Sequence, residues 1–461
     1  MREYLEVLEK APAYVCVAAI LCSGLVADYA MAQARPEVPN DPATGPVALS
    51  FDEAIRLGIE RNVRTVISRQ GIQTAKGERL QSLSGLLPNV SGTMEQTRRT
   101  ANLVSVGLDP DEFSIGNGVF GPFNTFDARL NATQTIFSLA AIGAAQAGKA
   151  SLDRSEVKYV LSTHLVFQKV GETYVQVLEA QSAVDAFEAD LALAKELDKD
   201  TEVAFDSGVA TALDKARAKS RALASETRLL QAQTALAVST NQLKALLLVP
   251  QASTVSLTTP LRDQNVSLPP VDQAVREAQA NRPDIKFSEE TIRIASYKHR
   301  AAVGQQVPAL GFGVNYGGSG DTIASNVNGT YLIGGVLSVP LFDGGNTVGA
   351  IKAARSRQYE AEQVLRQLKE DTDEQVRSAL QSITYASQEV LATAEQLKVT
   401  ELALKLSRDR FFNGVSDNLE LVASQTSLST ARNQYVRALA KYNDARIQLA
   451  VALGSIQGFT L

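Results

Sequence analysis

The residues most able to do chemistry in this sequence are an acidic run and two histidines. The run KEDTDE at 369–374 places four carboxylates within six residues. Like charges this close gain nothing from a dry site, so the run predicts a solvated helix face rather than an acid–base pair. His164 and His299 are single histidines without further ligands at metal spacing, which indicates surface or packing roles. We therefore expect no catalytic site, no metal and no cofactor.

A glycine-containing turn and the charge balance argue against two further classes. The tripeptide DGG at 343–345 is similar to part of a phosphate loop but lacks the Lys-Ser/Thr pair. It predicts a turn between a strand and a helix. Basic residues number 45 and acidic residues 50, which leaves no basic surface for nucleic acid. Neither an enzyme nor a nucleic-acid partner is predicted.

The remaining candidates lie in two copies of one helix–turn–helix. The first, FDSGVATALDKARAKS, begins at Phe205, and the second, FFNGVSDNLELVASQTS, begins at Phe411. Their turn glycines, Gly208 and Gly414, lie 206 residues apart. Repeats of this kind indicate an internal duplication, which governs how the rest of the chain is interpreted.

Acidic residues follow both turns. Asp214 and Glu420 occupy equivalent positions, and Asp417 lies one helical turn before Glu420 on the same face. By position alone, these acids are expected to complement the dipole at helix N-termini.

A second pair of repeats lies upstream and sets the domain boundaries. DEAIRLGIERN from Asp52 and DQAVREAQANR from Asp272 match at a spacing of 220, as do Pro88 and Pro308. The prediction is a first structural repeat at 49–250, an inter-repeat linker at 251–270 and a second structural repeat at 271–461.

Each repeat must contain both helices and strands. A helix of about thirty residues opens each repeat and ends before the proline, which disfavours helix in the residue that precedes it. Alternation of period two then predicts four strands, two per repeat, with one polar and one apolar face each. Their lengths suit tilted membrane-spanning strands. The predicted strands are 88–105, 123–137, 306–317 and 329–341.

Two proline-free stretches, 143–205 and 347–412, would each form a helix of roughly 95 Å. Apolar residues step by four and three along them, as in a left-handed coiled coil. Each long helix turns at its glycine and returns near 212–248 or 418–453. The predicted seams are Val170, Tyr174, Val177, Gln181, Val184, Glu188, Leu191, Lys195 and Asp198, and Val376, Leu380, Ile383, Ser387, Val390, Ala394, Leu397, Glu401 and Leu404.

The N-terminus has the pattern of an exported protein. An apolar run at 11–26 precedes the small-x-small sequence of Ala32 to Ala34, which predicts a signal peptide at 1–34 and a Pro-rich linker at 35–48. A retained N-terminal anchor helix is the alternative. Both cysteines fall inside the signal, and Leu21 before Cys22 disfavours lipidation.

Four strands per chain cannot close a barrel, and an open edge in lipid leaves unpaired backbone groups. The chain must therefore oligomerise. A dimer would give eight strands with a filled interior, whereas a trimer would give twelve strands and a lumen. Long helices would continue that lumen as a tube. The predicted fold class is mixed α and β, mainly α, and its architecture is that of a conduit.

Three segments carry a family resemblance: LLPNVSG entering a strand, SVPLFDGG leaving one, and the hairpin GVSDNLELVASQTSLSTARNQYVRAL. In their duplicated order, over about 49–454, they resemble the TolC-like outer-membrane efflux proteins. The resemblance implies a homotrimer with a twelve-stranded β-barrel in the outer membrane and a periplasmic α-barrel of coiled-coil helices. It also implies a periplasmic adaptor (membrane fusion protein) and an inner-membrane pump as partners.

The resemblance further implies a periplasmic gate at the hairpin tips. Glu420 matches one acid of the family's gate, whereas Ala423 stands at the second acidic position. Asp214 matches an acid that bonds an aromatic hydroxyl, but the matching residue Phe411 has none. Ser416 stands where an arginine contact is expected. The gate candidates are therefore Asp417, Glu420, Asp214 and Phe411, and closure is expected to rest more on packing.

The function that the resemblance implies is a passive exit duct from periplasm to exterior, within a tripartite efflux or type I secretion system. The sequence does not separate drug efflux from protein secretion. The alternative from another class is a periplasmic coiled-coil adaptor that binds partners without forming a pore. The alternating strands 123–137 and 306–317 argue against it, because an adaptor has no use for long strands with an apolar face.

Overall fold

The computed structural model describes residues 47–107, 118–208, 210–263, 267–323, 326–413, 415 and 418–461. The expected signal peptide and most of the linker that follows it lie outside these residues. The described chain forms two compact units. One unit contains 76–107, 118–151, 293–323 and 326–359, and the other contains 47–75, 152–208, 210–263, 267–292, 360–413, 415 and 418–461.

The described elements occur in the same order in both halves of the chain. Equivalent helices have 11 and 11, 22 and 22, 68 and 67, and 36 and 36 residues. In the first half they are β1 Val47–Leu49, α1 Phe51–Arg61, α2 Val63–Ser84, β2 Asn89–Asn102, a 3-10 turn Val104–Val106, β3 Val119–Phe137, α3 Leu139–Asp206 and α4 Ala212–Leu247. In the second half they are β4 Val255–Leu257, α5 Val271–Asn281, α6 Pro283–Gly304, β5 Ala309–Gly320, β6 Asn328–Ser338, α7 Asn346–Phe412 and α8 Asn418–Leu453.

The four long strands form one antiparallel sheet in the order β2-β3-β5-β6. The predicted faces are confirmed by the register. Leu130 pairs with Tyr316 and Ala132 with Val314 on the apolar face, while Asn131 pairs with Asn315 on the polar face. The strands differ from the predicted bounds by up to four residues, the largest difference being the start of β3 at 119.

Hydrogen bonds between side chains hold the polar face together. The guanidinium of Arg129 forks onto the carboxylate of Asp127 at 2.6 and 2.8 Å and donates to the Asn315 amide oxygen at 3.0 Å. Asn315 in turn donates to Asn131 at 2.6 Å. A charged group on a sheet face is stable only when it is paired in this way or hydrated. The polar face is therefore a connected network across β3 and β5.

The opening helix of each half is two helices, so the prediction of a single helix of about thirty residues was wrong. Asn62 separates α1 from α2, and Arg282 separates α5 from α6, both in extended conformation with ψ of 133° and 127°. Pro283 explains the second break, because the residue before proline avoids the α region. At the first break, the side-chain oxygen of Asn62 accepts a hydrogen bond from the Arg64 amide at 3.0 Å, which stabilises the start of α2.

Each break packs near the end of a returning helix. The side chain of Asn62 donates to the Leu246 carbonyl at 3.3 Å, near the end of α4. In the second half Gly454, just after α8, lies so close to Arg282 that an added Cβ would be 2.9 Å from its backbone nitrogen. Gly454 and the equivalent Leu248 are both left-handed, with φ of 70° and 51°. The close approach explains why the second half requires glycine.

The regions predicted as linkers contain a short parallel ribbon. Val47–Leu49 of β1 pairs with Val255–Leu257 of β4, so the end of the first linker lies beside the early part of the second. The ribbon is fastened by Tyr174, whose buried hydroxyl donates to the Leu49 carbonyl at 3.0 Å and accepts from the Thr259 amide at 3.2 Å. The ring of Phe51 packs edge-on against Tyr174 at 5.5 Å. Around it lies the largest apolar core, with Val166, Phe167, Val170, Leu243, Leu247 and Ile447.

The predicted helix seams are confirmed at most apolar positions of α7 and of the first part of α3, whereas the predicted seam residues Gln181 and Glu401 are exposed. Val376, Leu380, Ile383, Val390 and Leu404 of α7 are buried, as are Val170, Tyr174, Val177 and Val184 of α3. Beyond Glu188 the α3 seam was wrong by one position. The buried residues there are Asp190, Ala194, Leu197 and Thr201, which still step by four and three, but Asp190 comes six residues after Val184 instead of seven.

Replacing Tyr174 by phenylalanine should lower the thermal unfolding temperature of the purified protein. The change deletes one hydroxyl that serves two buried backbone groups, at a cost of about 1–2 kcal/mol. Tyr385→Phe is the matched control, since that ring is 67% exposed on α7. Equal unfolding temperatures for the two variants would show that the ribbon does not depend on this hydroxyl.

Candidate functional site at the hairpin tips

The first hairpin turns through Gly208 and restarts at a complete capping box. Gly208 has φ of 79°, a left-handed conformation that favours glycine. The Thr211 hydroxyl accepts from the Asp214 amide at 3.2 Å, while the Asp214 carboxylate accepts from the Thr211 amide at 3.0 Å. The hydrogen bond from the Thr211 hydroxyl, at 2.6 Å, is the main cause that lowers the pKa of Asp214. This acid therefore has a structural role at the start of α4.

Ion pairs join the two helices of the first hairpin. Lys215 of α4 lies 2.8 Å from Glu202 of α3 and 5.4 Å from the ring centroid of Phe205. Lys219 lies 3.6 Å from Asp198 one turn further from the tip. The hydrogen bond to Lys215 lowers the pKa of Glu202, so this pair stays charged at neutral pH. The tip of the first hairpin is held by charge as well as by its cap.

Part of the second tip lies outside the described residues. Gly414, Ser416 and Asp417 belong to that part, so their predicted roles stay predictions. Glu420 lies in the first turn of α8, where its carboxylate is 3.5 Å from the guanidinium of Arg410 on α7. The second hairpin therefore also has an ion pair between its helices.

Phe411 does not face water but packs in an apolar cluster. It is 8% exposed and contacts a group of leucines from three helices: Leu197 of α3, Leu404 of α7, and Leu421 and Leu428 of α8. A phenylalanine fits such a cluster better than a tyrosine, whose hydroxyl would need a partner. The aromatic position thus contributes packing between the two hairpins.

The sequence analysis missed the arginines that tie one hairpin to the other. Arg408 of α7 donates to Glu196 of α3 at 2.6 Å and to Asp200 at 3.4 Å. These bonds raise the pKa of Arg408. Arg432 of α8 bonds Asp190 of α3 at 3.0 Å, and the Asp190 side chain is only 7% exposed. The available signal was Glu196 and Asp200 at a spacing of four, which places both acids on one face of α3.

The described side chains at the tips hold the helices together through ion pairs and apolar packing. Among the described residues no group of three or more His, Cys, Asp and Glu side chains is arranged to hold a metal ion.

The turn predicted at 343–345 is confirmed, since the Asp343 carboxylate accepts from the Gly345 amide at 3.1 Å and the Thr347 amide at 2.8 Å at the start of α7. His299 lies half-buried on α6, and His164 is buried on α3. In the described part of the chain, no helix has the length and apolar character needed to cross a bilayer.

The fold therefore defines a class of protein with two long helical hairpins and four sheet strands per chain. A family model described as "Outer membrane efflux protein" matches residues 68–247 and 274–455. These segments make up more than half of the chain, and the chain belongs to the outer membrane efflux protein family. Membership makes it an outer-membrane efflux or secretion channel protein and argues against the periplasmic adaptor.

Individual relatives agree with the family. The pyoverdine export outer membrane protein OpmQ of Pseudomonas putida is 25% identical over 408 residues, which cover 88% of this chain and 85% of that protein. The alkaline protease secretion protein AprF of Pseudomonas aeruginosa is 22% identical over 346 residues, covering 72% and 70%. The crystal structure of the outer membrane protein VceC from Vibrio cholerae matches with a TM-score of 0.77 at 17% identity, covering 88% of this chain and 96% of that one. This chain and VceC share a fold.

Replacing Thr211 by alanine should expose the first turn of α4. Loss of an N-cap costs about 1 kcal/mol, and the freed amides should exchange hydrogen faster in mass-spectrometric exchange measurements. Thr227→Ala is the control, because that hydroxyl bonds only the Leu223 carbonyl in the middle of α4.

Asp214→Asn should act like Thr211→Ala at neutral pH. The destabilisation caused by Asp214→Asn should become smaller in acid. A carboxylate whose pKa is lowered in the folded state stabilises the fold at pH values above its unfolded-state pKa, and this stabilisation is lost as the pH falls through its folded-state pKa.

Proposed function

We propose that three copies of this chain assemble into an outer-membrane channel through which cargo passes passively from the periplasm to the exterior. The observation that carries the proposal is the sheet of β2, β3, β5 and β6, which has one polar and one apolar face and in which β2 and β6 are the outer strands. The apolar face exposes large side chains, among them Val90, Met94, Tyr331, Ile333 and Leu337, each at least 60% exposed. An apolar sheet face of this kind is suited to contact with the hydrocarbon region of a membrane.

The unpaired edges of strands β2 and β6 determine how many copies of the chain are needed to close a barrel. Within one described chain, β2 pairs only with β3 and β6 only with β5, so each has an edge without a partner strand. In lipid each unpaired backbone group costs several kcal/mol, which favours closure with further copies. Two copies give eight strands, too few for a lumen, while three give twelve. A lumen lined by the Arg129 network would be polar and hydrated.

The proposed partners are a periplasmic adaptor and an inner-membrane pump, which would supply the energy. The chain offers no described catalytic group for that task. One relative carries the name of a pyoverdine exporter and another that of a protease secretion protein, so the relatives span small-molecule and protein cargo. The same channel serves either system in this proposal. Isolation of the native complex with its adaptor and pump identifies which one it is.

The proposed gate is the pair of hairpin tips. Asp417 and Glu420 would contribute six carboxylates around one aperture in a trimer, a field that attracts cations. Closure would rest on the Phe411 cluster and on the Arg408 pairs, with Asp214 supporting the tip through its cap. This differs from a gate closed by a bond between an acid and an aromatic hydroxyl, since Phe411 has no hydroxyl.

Purified protein in detergent should have the mass of three chains, and it should produce discrete current steps in planar lipid bilayers. Mass photometry measures the first property and single-channel recording the second. A monomer that conducts nothing in several lipid compositions would contradict the proposed function.

Replacing Arg408 by glutamine should increase the fraction of time that the channel is open. The change removes the bonds to Glu196 and Asp200 but keeps a polar side chain of similar length. Arg366→Gln is the control, because it removes the same charge from an exposed site on α7. Equal open probability for the two variants would exclude Arg408 from closure.

Replacing both Asp417 and Glu420 by alanine should weaken cation selectivity and block by trivalent cations. Because Glu420 also pairs with Arg410, the variant Arg410→Gln separates the loss of the pair from the loss of the acids. Only the double acid variant should lower selectivity, as measured by reversal potentials in a salt gradient. Unchanged selectivity would place these acids away from the aperture.

A further inference from the structure

A recess in the second half of the chain joins two features that the sequence assigned no role beyond packing and solvation. It has a volume of about 520 Å³ and lies where the break between α5 and α6 faces α3, α7 and α8. His164 of α3 and Glu374, the last acid of the KEDTDE run, both line it. The volume is within the usual range for small-molecule sites.

Arg282, at the helix break, lines the recess, and its guanidinium is held in place by hydrogen bonds. It is 9% exposed, and its guanidinium forks onto Asp284 at 3.1 and 2.6 Å and donates to Gln375 at 2.8 Å. Three of its nitrogens are thus committed to protein acceptors. A guanidinium held in this way is a poor anchor for an anion, and its charge is offset by Asp284.

His164 is buried beside Arg282 without a hydrogen bond to any residue that the structure describes. It is 9% exposed and lines the recess, where a ligand could supply the hydrogen bond that the described residues do not. Burial lowers the pKa of the imidazole, as do Arg282 and Lys286, while Asp284 opposes them. The ring is therefore neutral at neutral pH, and one of its nitrogens is an acceptor.

The charges and walls of the recess select the class of ligand. Arg282 and Asp284 cancel, the imidazole is neutral, and Glu374 leaves one net negative charge on the lining. The Glu374 carboxylate accepts from Ser378 at 2.9 Å, which orients it. The lining also has an apolar part, to which Leu161 and Leu165 of α3 and Val451 and Ala452 of α8 contribute.

We propose that this recess binds a small organic ammonium ion that carries an apolar group. The ammonium group donates to the Glu374 carboxylate and to the neutral His164 ring, and the apolar group packs on the leucine and valine side chains of the lining. A metal ion would gain nothing from the apolar side chains of the lining, which therefore favour an organic cation as the ligand. The lining residues belong to a single chain, and Glu374 precedes Phe411 at the tip by 37 residues of the continuous helix α7, roughly 55 Å at 1.5 Å per residue. The site is therefore separate from the proposed aperture, and its test does not depend on whether the protein conducts.

The test uses the full-length protein in detergent and three probes of the same shape. Benzylammonium, benzyl alcohol and benzoate differ only in being cationic, neutral and anionic. Isothermal titration calorimetry or saturation-transfer NMR should detect benzylammonium and find the other two at least about tenfold weaker, the scale of a charge-assisted hydrogen bond. Absence of benzylammonium binding, or equal binding of benzoate, overturns the proposal.

Four variants then locate the site. Glu374→Gln and His164→Leu should each weaken benzylammonium about tenfold, whereas His164→Gln keeps an acceptor and should stay within about threefold of wild type. Glu401→Gln removes the same charge from an exposed position on α7 roughly 40 Å away and should change nothing. All four variants must elute with the wild-type mass in size-exclusion chromatography. Unchanged binding in Glu374→Gln, or equal losses in the two His164 variants, places the probe elsewhere and overturns the assignment.

Discussion

The sheet of β2, β3, β5 and β6 depends on one constraint, the pairing of backbone groups on strands that have an apolar face. The central ladder between β3 and β5 joins the two halves of the chain, from Phe126 opposite Gly320 to Phe137 opposite Leu310. Gly317 pairs directly with Arg129, and a Cβ on Gly317 would collide with the backbone of Ala128 and Arg129. The small residue makes room for the guanidinium network. Backbone pairing thus sets both the polar face and the need for more strands than one chain has.

Equivalent positions in the two halves have diverged where helices end. Asn62 binds the end of α4 through its own side chain, whereas its counterpart Arg282 turns to Asp284 and to Gln375 of α7. Leu248 is 50% exposed, while its counterpart Gly454 lies against the Arg282 backbone. The same backbone plan therefore gives a simple helix junction in one half and a charged, lined recess in the other. The two halves thus share an order of elements and differ at single residues where helices meet.

The sequence predicted those features that depend on local periodicity. Alternation in β3 and β5 indicated correctly which residues share a face, and Gly208 and the DGG turn marked helix ends correctly. It did not predict the breaks at Asn62 and Arg282, because a one-residue interruption hardly alters a helical pattern, although Pro283 was a usable signal. The β1–β4 ribbon was missed because three-residue strands lie 208 residues apart. The Arg408 and Arg432 pairs were missed for the same reason, since contacts between distant helix faces have no sequence spacing of their own.

The middle of α3, around Tyr174, and the tips of the hairpins are held by different interactions, and this difference suits the gate that we propose at the tips. Tyr174 and the apolar core around it are dry, so the contacts there are costly to break. At the tips the Arg408 and Glu196 side chains are 38% and 53% exposed, and pairs in contact with water contribute little stability. The Phe411 cluster is small, with five buried residues. Segments that move are drawn from the least stable part of a structure, so the proposed opening at the tips would leave the core of the same helices packed.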